Sequence, residues 1–142
     1  MNDHSLQRFL EAQLNTYDTA LCEIKSGRKL SHWMWFIFPQ LKGLGRSCTA
    51  QFYGIEDFEE ARLYLQHPIL GKRLKEITSV LLTQPNSNAH AVFGSPDDLK
   101  LHSSLTLFAH VSEKENSVFH EALTRFFEGK FDVNTLQLLQ EV

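Results

Sequence analysis

The sequence predicts an all-α protein, a single compact, irregular helical domain of about seven helices covering residues 1–142. Three observations carry this reading. Apolar residues recur at three- and four-residue steps through most of the chain, helix-start and helix-stop residues punctuate those stretches, and no segment sustains the alternation of a strand. A length of 142 residues is that of one domain, and division into two would leave each half too little apolar surface to bury.

The elements follow in order. Phe9, Leu10 and Leu14 lead into Tyr17, Leu21 and Ile24, and Gly27 offers a stop. Asp57 with Glu60 forms a capping-box pattern ahead of Phe58, Ala61, Tyr64 and Leu65. That helix ends near His67, because Pro68 disfavours helical geometry in the residue before it. Pro68 then suits the first turn of a helix whose stripe is Leu70, Leu74, Ile77 and Leu81. The polar stretch from Thr83 to Ala91 reads as a loop, with a short strand at Ala89 to Phe93 as an alternative for its end. Ser95-Pro96-Asp97-Asp98 signals a helix start: a hydroxyl cap, a proline, then two acids near the positive end of the dipole. Leu101, Leu105 and Phe108 form the stripe that follows. Phe119, Ala122, Leu123, Phe126 and Phe127 form another, closed by Gly129, and Asp132 or Asn134 caps a short last helix with Leu136 and Leu139.

Composition narrows the class. Hydrophobic residues make up 42% of the chain and eleven are Phe, so aromatic packing dominates the expected core. The formal net charge of -3 argues against non-specific nucleic-acid binding, although Lys25, Arg28 and Lys29 form one basic run, read as a solvated helix end. Cys22 and Cys48 stand far apart without a ligand or disulfide pattern, so both are expected to be reduced and buried. The start, Met1-Asn2-Asp3-His4, lacks a signal-peptide pattern, and the apolar run Trp33 to Phe38 is too short to span a bilayer. A cytoplasmic location with no membrane partner is the resulting expectation.

The most unusual segment is Ser31-His32-Trp33-Met34-Trp35-Phe36-Ile37-Phe38-Pro39-Gln40, followed by Leu41-Lys42-Gly43-Leu44-Gly45-Arg46-Ser47. Its bulky run is apolar on every side, which predicts a buried helix or extended segment. Further ordered motifs are Tyr64-Leu65-Gln66-His67-Pro68 with Leu70-Gly71 and Arg73-Leu74, then Phe93-Gly94-Ser95-Pro96-Asp97-Asp98 with Lys100-Leu101, then Ser103-Ser104-Leu105-Thr106-Leu107-Phe108. With Arg8-Phe9-Leu10 and Tyr53, these motifs cover nearly the whole chain, and in them the protein resembles the family known as domain of unknown function 1810 (DUF1810). The resemblance implies a small, mainly helical, cytoplasmic and chiefly bacterial protein without an established activity.

Several residues qualify as candidates for chemistry. His32 is a candidate acid or base by residue type, the rival role being a cap or core histidine. Trp33 and Trp35 suit stacking on a planar ligand, or alternatively core packing. Gly43-Leu44-Gly45-Arg46-Ser47 offers N–H groups, a guanidinium and a hydroxyl that suit a phosphate, yet it lacks the spacing of a Walker loop or a dinucleotide fingerprint. A plain glycine-rich turn is an equal alternative. Lys100 and Ser104 share a helical face with Ser103, opposite the Leu101 stripe, and a lysine beside a serine can activate it. Gln40, Tyr53, His67 and Arg73 complete the set of candidate ligand contacts. No cofactor motif and no metal cluster appear, and the absence of a His-x-x-x-His pair argues against structural zinc.

Two functional classes follow. The first is a small-molecule-binding domain, enzymatic if His32, Lys100 and Ser104 act on the ligand, and directed at a phosphorylated or nucleotide-like compound. The second is a non-catalytic protein-interaction module with an exposed apolar patch. They differ in whether the candidate residues converge on one concave site.

Overall fold

The computed structural model describes residues 4–112 and 116–141, so the Met1–Asp3 start read above for targeting signals lies outside them. Among the described residues the chain folds into ten helices and no strand, apart from one isolated parallel bridge between Leu41 and Ile55. No helix among them is long and apolar enough to cross a membrane.

The predicted first helix is two. Its apolar spacing runs on, but α1 (His4–Gln13) and α2 (Tyr17–Lys25) are separated by a turn at Leu14–Thr16, which leaves Leu14 74% exposed. Asn15 and Thr16 form helices poorly. The turn also lets Gln13 and Tyr17 both bury: the Gln13 amide donates to the Phe36 carbonyl and to Tyr64 Oη, and Tyr17 Oη donates to the Arg73 carbonyl. The aromatic run contains the single-turn α3 (Met34–Ile37), followed across the glycine-rich loop by α4 (Cys48–Tyr53). Trp33, Met34, Ile37 and Phe38 are buried as expected, whereas Trp35 and Phe36 are only half-buried.

The next boundaries follow local chemistry. Asp57 caps α5 (Phe58–Gln66) by accepting from the Glu60 N–H at 2.9 Å. The reciprocal bond of the box reaches one residue further back, to the Glu56 N–H, and Glu60 also holds Arg8. His67 is the device that starts α6 (Leu70–Leu82), since its Nδ1 accepts from the N–H groups of Ile69 and Leu70. Gly71 lies so close to the end of α5 that a β-carbon there would fall 1.9 Å from the Leu65 carbonyl oxygen. The alternative strand at Ala89 to Phe93 is instead the short α7 (Ala89–Phe93), capped by Asn88.

The longest helix, α8 (Asp97–Val111), is the axis of the molecule and touches α3, α5, α7, α9 and α10. It has no solvated face at its middle: every residue from 103 to 109 is buried, including Ser103, Ser104 and Thr106. The expected polar face of Lys100, Ser103 and Ser104 is therefore reached by solvent only at its Lys100 end. Ser103 donates to Asp132, which also caps α10 (Val133–Glu141) through the Thr135 N–H, so Asp132 rather than Asn134 starts the last helix. Ser117 and His120 cap α9 (Val118–Phe127), and Gly129 donates back to the Leu123 carbonyl to close it. Cys22 and Cys48 are free and exposed, not buried as their residue type suggests.

A carboxylate sits at the edge of this core. Glu23 of α2 accepts from Trp33 Nε1 at 2.8 Å, from the Leu30 and Ser31 N–H groups, and from Ser31 Oγ. Burial pushes its pKa up, but these donors outweigh burial and hold it at about 2. A carboxyl whose pKa falls on folding contributes stability above its unfolded value and loses that contribution as pH drops. Urea unfolding at a series of pH values should therefore show stability falling between pH 4.5 and about 2. Glu23→Gln should remove that part of the dependence and cost about 1–3 kcal/mol at neutral pH, because donors lose their acceptor. Gly71→Ala should cost at least about 2 kcal/mol in the same assay, since backbone rather than a flexible side chain must move.

Candidate functional site

Four of the candidate residues meet. Trp35 of α3, Gln40 at the start of the following loop, Tyr53 of α4 and Lys100 of α8 line one crevice, with Met34 and Phe38 among its apolar walls. Each arrives there for a local reason. Trp33 turns inward to Glu23, so Trp35, two residues on, remains half-exposed. Gln40 is held by the bridge to α4's far end, where its carbonyl accepts from the Ile55 N–H at 2.9 Å. The Tyr53 ring packs against Phe9, Phe36 and Phe52. Lys100 Nζ lies 4.7 Å over the Trp35 ring, a cation–π contact.

The polar ends in this crevice are largely unengaged. Among the described residues, neither the Gln40 amide nor the Tyr53 hydroxyl makes a hydrogen bond. Lys100 has a long ion pair, 3.6 Å from Asp97. One turn further along α8, the Ser104 hydroxyl is buried without a hydrogen-bond partner among the described residues. The glycine-rich loop stands over the same place: a β-carbon on Gly45 would come within 2.5 Å of Ala50 Cβ and 3.4 Å of the Gln40 amide nitrogen. The free space is small, about 10 Å³, room for a single water.

The remaining candidates lie elsewhere. Trp33 is wholly buried against Phe38 and Phe93 and belongs to the core. His32 is exposed in the turn before α3 and does not line the crevice. Arg46 is exposed, and Ser47 caps α4 by accepting from the Ala50 N–H at 3.0 Å. Gly43 is exposed beside Leu138. Arg73 is tied behind α3, donating to Gln13 and lying over the Tyr17 ring. His67 borders a separate open groove of about 820 Å³ along α5 and α6, with Lys72 and Lys75. That groove is far larger than the crevice, yet His67 is the one candidate on it and its Nδ1 is already engaged as a cap.

Sequence reasoning missed two participants. The basic run places Lys29 at a solvated helix end, but its ammonium pairs with Asp97 at 2.7 Å and lies 5.0 Å over the Trp33 ring. Asp97, read as a helix-start acid, holds both Lys29 and Lys100. The Asp97–Lys100 spacing of one helical turn was a visible signal for the second pair. Nothing in the spacing signals the first.

An unpartnered buried hydroxyl is a net cost to the fold. Ser104→Ala should leave urea stability unchanged or raise it by about 1 kcal/mol, whereas a loss above about 1 kcal/mol would mean that the hydroxyl is bonded in solution.

The chain matches the family model described as "Protein of unknown function (DUF1810)" over residues 3–139. It is also similar to the conserved hypothetical protein Rv1873 from Mycobacterium tuberculosis, whose crystal structure superposes with a TM-score of 0.94 at 45% identity. That match covers 98% of this chain and 99% of the other. No curated protein matches the chain.

Proposed function

Because the chain belongs to the DUF1810 family, whose description names no activity, we propose a function from the crevice itself: a domain that binds a small, planar, anionic molecule of the phosphorylated or nucleotide-like class. The observation that carries this reading is the convergence of Trp35, Gln40, Tyr53 and Lys100, drawn from separate segments, with amide and hydroxyl unbonded among the described residues. Groups that face one space without protein partners are the equipment of a ligand site.

Each group has a role in that reading. The Trp35 face stacks on a ring, and the Gln40 amide and the Tyr53 hydroxyl donate or accept at the ring's edge. Lys100 pairs with the anionic group. The crevice admits a ligand only when the ammonium leaves the indole face and the Gly43–Ser47 loop moves outward. In that exchange a cation–π contact worth about 0.5–2 kcal/mol gives way to stacking worth about 1–3 kcal/mol, and the surplus goes toward moving the loop. Binding is proposed rather than catalysis, because the crevice lining includes neither His32 nor a carboxylate.

A thermal-shift screen against nucleotides and sugar phosphates tests the reading, since a molecule that binds the native state raises its apparent stability. Compounds that stabilise the protein should bind about tenfold or more weakly to Lys100→Ala and a few-fold more weakly to Tyr53→Phe. A folded protein that no compound stabilises, or stabilisation that Lys100→Ala leaves intact, overturns the proposal in favour of an interaction module.

A further inference from the structure

Asp97 stands at the start of α8 with a lysine at each carboxylate oxygen: Lys29 Nζ is 2.7 Å from Oδ2, and Lys100 Nζ is 3.6 Å from Oδ1. The two lysines are not equivalent. The Lys29 side chain is 7% exposed, and its ammonium also donates to the Ser31 carbonyl. The Lys100 side chain is 21% exposed and lines the crevice. An ammonium so withdrawn from water needs a carboxylate close by, so Asp97 is engaged chiefly by Lys29. One carboxylate between two ammoniums leaves a surplus of one positive charge, and that surplus sits at Lys100.

Two further carboxylates lie nearby and stay constant through the comparison. Glu23, hydrogen-bonded to Trp33 Nε1 and the Leu30 and Ser31 N–H groups, and Asp98, 3.4 Å from His90, are the same in every variant below, so differences between variants report the Lys29–Asp97–Lys100 triad alone. We infer that Lys29 is a positioning residue for the crevice: by neutralising Asp97 it leaves Lys100 free to receive the anionic group of a ligand that Lys29 itself never touches. The inference rests on the crevice reading above. It adds that the preference for an anion is set by the count of charges in the Lys29–Asp97–Lys100 triad.

Charge-count variants test this. Wild type carries +1 in the triad, Lys29→Met carries 0, Lys29→Met with Asp97→Asn returns to +1, and Asp97→Asn alone carries +2. A unit charge a few ångströms from an anion near a protein surface changes affinity by the order of tenfold. The chain's two tryptophans make the readout simple, because an amide-type nitrogen–proton spectrum contains one indole signal for each. In a titration with inorganic phosphate at constant ionic strength, the Trp35 indole signal should shift saturably. The Trp33 signal, held by Glu23, should stay still.

Phosphate affinity should fall about tenfold in Lys29→Met, recover in the double variant, and match or exceed wild type in Asp97→Asn. Lys29→Arg, which keeps the charge, should stay within a few-fold of wild type. Recovery on removing a second partner is what mere structural damage would not produce. An unchanged affinity in Lys29→Met, a double variant as weak as the single one, or no phosphate response at Trp35 in wild type would each overturn the inference. The crevice reading fails by a different result, nucleotide stabilisation that does not depend on Lys100.

Discussion

The hydrogen bond from Trp33 Nε1 to Glu23 is the constraint on which the site depends. It draws the Trp33 indole inward, where Phe38 and Phe93 pack against it, and it gives the buried indole N–H the acceptor that burial demands. The same carboxylate takes the Leu30 and Ser31 N–H groups, so the chain entering α3 is held at several points rather than one. With Trp33 committed to the core, Trp35 is left at the surface of α3, half-exposed beside Lys100. One side-chain bond thus decides which tryptophan is structural and which is available.

α8 supplies the second half of the arrangement. A helix buried all round its middle cannot carry charge there, and Ser103 and Thr106 are absorbed into bonds with their own helix backbone and with Asp132, which leaves Ser104 as the polar residue without a partner among the described residues. Its first turn is different. Asp97 and Lys100 emerge beside the aromatic segment, and Lys29 comes in from the turn after α2 to meet Asp97. Charge is tolerated at this edge because each group has a partner, and Lys100 is the least firmly held of the three.

The site was legible only in part. Trp35 and Gln40 stand out in the sequence as part of an aromatic run followed by glycines, Tyr53 as one of the ordered motif residues, and Lys100 for sharing a helical face with Ser103 and Ser104. Their neighbours in those same motifs did not share their fate. Ser47 and His67 are residues whose side chains satisfy helix starts, and Arg73 serves a hydrogen-bonded contact with Gln13. A polar side chain in a motif is equally suited to a cap and to a ligand, and only the direction it takes in three dimensions separates the two roles.

What the sequence determined by itself was local: helices as the dominant element, the start at Asp57, the stop at Gly129, and burial of most of the aromatic segment. Those features depend on residues within a turn or two of one another, so spacing encodes them. Tertiary structure decided the break between α1 and α2, the burial of both faces of α8, the inward turn of Trp33 and the pairing of Lys29 with Asp97. Each of these is a contact between segments far apart in the chain. Apolar periodicity says that a face must be covered, but it carries no information on which segment covers it or which charge waits there.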